Sequence, residues 1–116
     1  MQKSVNEFIA EAQAVCKCFD AKSAKAFFDE IGSVVIIDVR EAHEVNESKL
    51  EHSTHISRGQ LEMKIPESCP DPNTNILIYC AASGRASMAA VRLQEMGYTN
   101  VHVIAAKFDE IKEIFG

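Results

Sequence analysis

Three short apolar runs constrain this chain more than any other feature. Val34-Val35-Ile36-Ile37-Asp38-Val39, Ile76-Leu77-Ile78-Tyr79 and Val101-His102-Val103-Ile104 are rich in β-branched residues and nearly free of polar alternation. Strands of that kind keep no face for water, so they belong inside a largely parallel sheet covered on both sides. Between the second and third runs, Met88, Ala89, Val91, Leu93 and Met96 recur at helical intervals, which predicts a helix packed on the sheet over Ala86 to Met96. Strand, helix, strand, helix is the pattern of an α/β fold, here three layers with a central, mainly parallel sheet and helices on both faces.

The remaining segments fill in that frame. Val5, Phe8, Ile9 and Ala12 predict an amphipathic helix over residues 1–14, packed on a single domain formed by residues 15–116. A short strand should follow over Val15 to Phe19, where alternation puts Cys16 and Cys18 on one face. Asp20 or Ser23 can cap a helix running to Ile31, and Gly32 suits its end because glycine tolerates the left-handed conformation. The middle of the chain reads as a short helix near His43 to Glu47, a strand near Thr54 to Ser57 and a helix from Gly59 to Met63, followed by a turn-rich stretch from Pro66 to Asn75. Phe108 to Phe115 is helical by spacing.

At 116 residues and 47% hydrophobic, the chain has material for one core and no room for a second domain. Its formal net charge of −5 and scattered lysines argue against nucleic acid or an anionic membrane as the main partner. No stretch reaches the roughly 18 apolar residues of a membrane span, and the charged opening segment lacks a signal-peptide centre, so a cytoplasmic monomer is expected. The four cysteines are too few and too irregular for a disulfide scaffold, and no histidine stands at a spacing that suggests zinc. Neither a metal nor another cofactor is expected.

Chemistry concentrates in Cys80-Ala81-Ala82-Ser83-Gly84-Arg85-Ala86-Ser87, where a buried strand ends and a helix begins. Open α/β sheets place ligands at such junctions. The small residues let the backbone curl tightly, so several N–H groups can converge on one anionic atom. The positive end of the following helix and the charge of Arg85 both favour the thiolate of Cys80, the form that attacks sulfur.

The residues from about Val15 onward resemble a single-domain rhodanese. The resemblance is carried by Ile36-Ile37-Asp38-Val39-Arg40-Glu41, then Ile56-Ser57-Arg58-Gly59-Gln60-Leu61-Glu62, then Ile78-Tyr79-Cys80 through Ser87, and finally Leu93 to Ile104. It implies a sulfurtransferase. Cys80 would take a sulfane sulfur from thiosulfate or another persulfide and pass it to a thiol or cyanide acceptor. Backbone donors would come from Ala81, Ala82, Ser83, Gly84 and Arg85, with Arg85 also fixing the loop's shape, and Asp38, Arg40 and Arg58 would act as supporting residues near the site. The partners implied are a small sulfur-containing anion or persulfide as donor and a thiol, free or on a protein, as acceptor.

Three features refine that implication. Many relatives read Gly-His-Ile-Pro-Gly-Ala where this chain has Ser48-Lys49-Leu50-Glu51-His52-Ser53, and they often carry two glycines and a later tryptophan where it has Ala105-Ala106 and Ile111. Ala82 stands where some thiosulfate-using relatives carry a cation, so weak use of the thiosulfate dianion is expected. Related cell-cycle phosphatases have one more residue between cysteine and arginine; the four here favour sulfur over phosphate. The alternatives are a binding module of the same fold without turnover, and a phosphatase or arsenate reductase.

Other reactive side chains have plainer readings. Cys69, beside Pro70, reads as an incidental exposed loop thiol and not as a resolving partner for Cys80. Cys16 and Cys18 read as core filling, because a disulfide between neighbours two apart is strained. His52 and His55 read as turn residues, and Glu41, Glu44, Glu47 and Glu51 as a solvated face.

Overall fold

The computed structural model describes residues 1–116. In chain order the elements are α1 (Val5–Val15), β1 (Lys17–Phe19), α2 (Ala21–Ile31), β2 (Val34–Asp38), α3 (Ala42–Glu47), β3 (Ser53–His55), a 3-10 turn (Arg58–Gln60), α4 (Leu61–Ser68), β4 (Asn75–Tyr79), α5 (Gly84–Glu95), β5 (Val101–Ile104) and α6 (Phe108–Phe115). Local chemistry accounts for the best-defined ends. Ser4 and Glu7 form a reciprocal capping box at the start of α1, Asp20 accepts from the Ser23 N–H at 2.7 Å to open α2, and Gly32 closes α2 at φ 81°.

The strands lie in the order β1-β5-β4-β2-β3 and every pairing is parallel. All five therefore end at the same edge of the sheet. Successive side chains on the central strands go to opposite sides. Ile37, Ile76, Ile78, Val101 and Val103 meet Leu61 and Ile65 of α4 and Ala86, Ala89, Ala90 and Leu93 of α5. Ile36, Leu77, Tyr79 and Ile104 meet Ala21 and Ala24 of α2 and Ile111 of α6. Helix α1 packs outside α5, burying Ala12. The three layers read from the apolar runs are thus present.

Two cysteine expectations are corrected. Val15 continues α1, so β1 starts only at Lys17 and lies on the sheet's edge; exposed Cys18 fills no core, whereas half-buried Cys16 does pack against the larger apolar cluster, and their sulfurs lie 4.0 Å apart. Burial first, and then the neighbouring thiol, push Cys16 up to about 12. Cys69 is not an exposed loop thiol: it is 1% exposed, belongs to the α4–α5 cluster and closes α4 with its N–H on Ile65 O at 2.8 Å. The helix that was expected to stop at Met63 runs through Pro66 to Ser68. A proline so near the end removes one helical N–H, and the burial of Ile65 and Cys69 outweighs that loss.

At the carboxyl edge, β2 and β4 are tied by a buried polar cluster. Asp38 is fully buried and Arg40 is 4% exposed; Arg40 Nη2 and Nε reach the two Asp38 oxygens at 2.8 and 3.1 Å, and its own N–H donates to Asp38 Oδ1 at 2.9 Å. The Tyr79 hydroxyl donates to Asp38 Oδ2 at 2.6 Å. Burial first, with the Asp38 carboxylate behind it, pushes the Tyr79 phenol up to about 12, so it remains a donor at any ordinary pH.

Tyr79→Phe should cost about 1–3 kcal/mol in urea unfolding, because the Asp38 carboxylate loses a buried donor. His102 provides a second test. It stacks on Phe19 at 5.0 Å and meets Phe27 at 4.7 Å, with Nδ1 buried and unpartnered. Burial first, then Lys17, hold its basicity below the ordinary 6.5, so protonation favours the unfolded chain and stability should fall as pH drops below that value. His102→Phe should reduce the loss of stability between about pH 7.5 and about pH 5.5; an equal loss in both proteins would show that His102 is not its source.

Candidate functional site

The common carboxyl edge of the parallel strands is where the chemistry-bearing residues meet. Cys80 follows β4 directly and is 1% exposed, its side chain joining Val39 and Ala86 in the larger apolar cluster. The chain then turns outward through exposed Ala81 and Ala82. It re-enters as α5 with Ser83 at the N-cap. Neighbouring segments hold this turn. Phe108 N–H donates to Ala81 O at 2.9 Å, and the Ser87 N–H and hydroxyl both donate to Ser83 O, at 2.8 and 2.7 Å. Glycine at position 84 has a steric reason: a Cβ there would lie 2.8 Å from Ile9 Cδ1 of α1.

One amide reaches the sulfur. Ala86 N–H, in the first turn of α5, donates to Cys80 Sγ at 3.4 Å. The N–H groups of Ala81 through Arg85, expected as donors to the sulfur, donate neither to it nor to any other atom of the chain, which leaves a run of unpaired donors after a buried thiol at the positive end of a helix. Such an arrangement can accept an anionic atom bound next to that sulfur.

Arg85 is committed elsewhere. Its Nη1 and Nη2 grip the Glu44 carboxylate of α3 at 2.7 and 3.0 Å, the bidentate geometry in which guanidinium binds most strongly. This contact holds Glu44 down at about 2. It is also the main reason Arg85 is raised, the charge of Cys80 adding a smaller contribution. The guanidinium therefore braces α3 against the loop, with its charge largely answered by Glu44.

Above the loop opens a cavity of about 560 Å³ walled by Ala81, Ala82, Arg40, Glu44, Lys107 and Phe108, among others. Arg40 lies 4.0 Å over the Phe108 ring and donates from Nη2 to Ser48 O at 2.7 Å. Leu50 N–H approaches the Tyr79 hydroxyl at 3.4 Å, and the Ser53 hydroxyl donates to Leu50 O at 2.8 Å. The 48–53 turn is thus pinned by polar side chains without glycine or proline. Lys107 is in no ion pair.

Cys80, its loop, Arg85 and the Asp38–Arg40 pair come together at this edge. Arg58 does not line the cavity; it pairs with Glu62 at 3.0 Å in a groove shared with Phe8 and Met88. His55 is engaged with Arg40 O at 2.7 Å, His52 lines a separate pocket with Phe28 and Phe115, and neither lines the cavity. No three His, Cys, Asp or Glu side chains converge as metal ligands.

Two contributors are absent from the sequence reading. Glu44 reads as surface charge because its partner is 41 residues away. Ala86 had a signal: the first N–H groups of any helix lack internal partners, so the donor run extends past Arg85 into α5.

Comparison with known proteins agrees with this architecture. The family model for the Rhodanese-like domain matches residues 20–114. A Schizosaccharomyces pombe protein provisionally named a mitochondrial thiosulfate sulfurtransferase is 31% identical over 80 residues, a match that spans 60% of this chain and only 56% of that protein. A Rhodopseudomonas palustris protein of unknown function, described as a possible tyrosine phosphatase, superposes with TM-score 0.83 at 26% identity, over 97% of this chain and 92% of the other. The polysulfide-sulfur transferase homodimer of Wolinella succinogenes gives TM-score 0.76 at 25% identity, over 92% and 80% of the two chains. With residues 20–114 matched by the family model and its fold shared with these structures, the chain belongs to the rhodanese-like domain family.

Proposed function

We propose that this protein is a sulfurtransferase that carries sulfane sulfur as a persulfide on Cys80. The observation that supports this reading best is the sulfur itself, buried at the N-terminus of α5 with the Ala86 N–H 3.4 Å away and unpaired amides before it. The names of the Schizosaccharomyces pombe and Wolinella succinogenes relatives point the same way.

In the first half-reaction the Cys80 thiolate attacks the outer sulfur of the donor. A Cys80 S–S bond forms and the donor's S–S bond breaks, with the electron pair leaving on sulfite from thiosulfate or on a thiolate from an organic persulfide. The outer sulfur then sits among the loop amides of residues 81–85, which stabilise its negative charge. In the second, an acceptor thiolate or cyanide attacks that sulfur, takes it as a persulfide or thiocyanate, and returns the Cys80 thiolate.

Charge around the cavity favours an organic persulfide over thiosulfate. Arg40 is paired with Asp38, Arg85 with Glu44, and Lys112 Nζ is held by Lys49 O at 2.8 Å. Lys107 alone is a weak grip for a dianion. The same commitment of Arg85 argues against a phosphatase, which needs a guanidinium free to clamp phosphate.

Incubation with glutathione persulfide, followed by mass spectrometry, should add about 32 Da at Cys80, the mass of one sulfur; cyanide should remove it and Cys80→Ser should never acquire it. Thiosulfate should load more slowly. Hydrolysis of p-nitrophenyl phosphate with no adduct from either donor would overturn the reading in favour of phosphate chemistry.

Glu44→Gln releases Arg85 and should cost about 1 kcal/mol at neutral pH, while raising the rate of thiosulfate loading relative to persulfide loading. Because the folded chain holds Glu44 at about 2 against the ordinary 4.5, the stability from this pair is complete above 4.5 and lost as pH falls toward 2. The gap in melting temperature between wild type and variant should therefore narrow across that window.

A further inference from the structure

The N-cap of α5 departs from the usual pattern in a way that involves the N-terminal helix. In an ordinary helix the N-cap serine turns its hydroxyl onto the N–H two or three residues ahead. With Ser83 as N-cap, those positions are Arg85 and Ala86, and at Ala86 the Ser83 Oγ and Cys80 Sγ compete for the same N–H. Ser83 makes no such capping bond. Its hydroxyl oxygen instead accepts from Gln13 Nε2 of α1 at 3.3 Å, and the Ala86 N–H goes to Cys80 Sγ at 3.4 Å. The same Gln13 nitrogen donates to Ser87 Oγ at 3.3 Å, and a side-chain amide has two hydrogens to give. Ser87 Oγ passes its own hydrogen to Ser83 O at 2.7 Å. Both oxygens of Ser83 are thus held, one directly by Gln13 and one through Ser87.

We propose that Gln13 is a positioning residue for the sulfur-carrying loop: by occupying the Ser83 hydroxyl, it keeps the Ala86 amide available to Cys80. Gln13 precedes residues 20–114, the stretch matched by the family model, and α1 delivers it by packing on α5. Ile9, one turn earlier on the same helix, closes on Gly84, so α1 touches the loop through two side chains. Without the Gln13 amide, the Ser83 hydroxyl is free to rotate onto Ala86 N–H and form the ordinary cap. The sulfur then loses its one direct donor while the helix loses nothing.

That asymmetry makes the idea separable from simple destabilisation. Its consequence for turnover rests on the sulfurtransferase reading, but its consequence for the thiol does not, so the test uses alkylation of Cys80 by iodoacetamide, followed by mass spectrometry of the peptide that contains it. Gln13→Met keeps length and helix preference and removes the side-chain amide, whose only bonds in the structure are those its nitrogen donates to Ser83 and Ser87. Its Cys80 rate at pH 7 should fall about fivefold, the worth of one such bond. The melting temperature should not fall. Gln13→Met combined with Ser83→Ala removes the competing hydroxyl and should recover most of the lost rate. Gln94→Met provides a control, because Gln94 ties α5 to Val15 O of α1 at 3.3 Å away from the loop; it should leave the Cys80 rate unchanged. A wild-type rate in Gln13→Met, no recovery in the double variant, or an equal loss in Gln94→Met would each overturn the proposal. If wild type takes up no sulfur from any donor, the sulfurtransferase reading fails, and these alkylation rates still decide the role of Gln13.

Discussion

A carboxylate buried where no water reaches it must be answered on every side, and Asp38 organises the carboxyl edge of the sheet for that reason. Arg40 supplies the counter-charge and Tyr79 a further donor. Each of these partners then carries a second contact outward. Arg40 holds Ser48 O and covers Phe108, and Tyr79 meets the Leu50 N–H. One desolvated charge thereby fixes two central strands, the 48–53 turn and the start of α6, all of which surround the loop after Cys80.

Within that frame, the allocation of hydrogen bonds decides what each polar group can do. Arg85 stands beside the thiol in sequence, yet Glu44 takes both of its terminal nitrogens. The direct donor to the sulfur is instead a main-chain amide, that of Ala86, which cannot swing away or be neutralised by a passing acid. The side-chain cation thus holds α3 to the loop, while the contact to the sulfur is made by backbone.

The legible parts of the molecule are those whose causes are local. Val34 to Asp38, Asn75 to Tyr79 and Val101 to Ile104 announce themselves by β-branching. Asp20 and Gly32 mark the ends of α2 through caps a few residues long, and the Cys80 loop could be read because its parts lie in consecutive positions. What resisted reading depends on contacts between distant segments. Nothing near Pro66 says that α4 continues past it; the reason is the burial of Ile65 and Cys69 against strands elsewhere. Nothing near Cys18 says it is exposed; that follows from β1 taking an outer place in the sheet. The contacts of Glu44 with Arg85 and of Gln13 with Ser83 span 41 and 70 residues, a separation at which composition and periodicity are silent.

The order of the strands also bears on how the protein avoids sticking to itself. The five-residue strands β2 and β4, apolar and low in charge, are the kind of segment that templates cross-β growth when its backbone is left open. Both lie inside the sheet, bonded on each flank, while the rims are β1 and β3 at three residues each. A rim that short offers an incoming chain too few unpaired amides to add a lasting strand, and Lys17 on one rim and His55 on the other place polar side chains there. The topology that gathers the strand ends at one edge thus also sequesters the stickiest backbone.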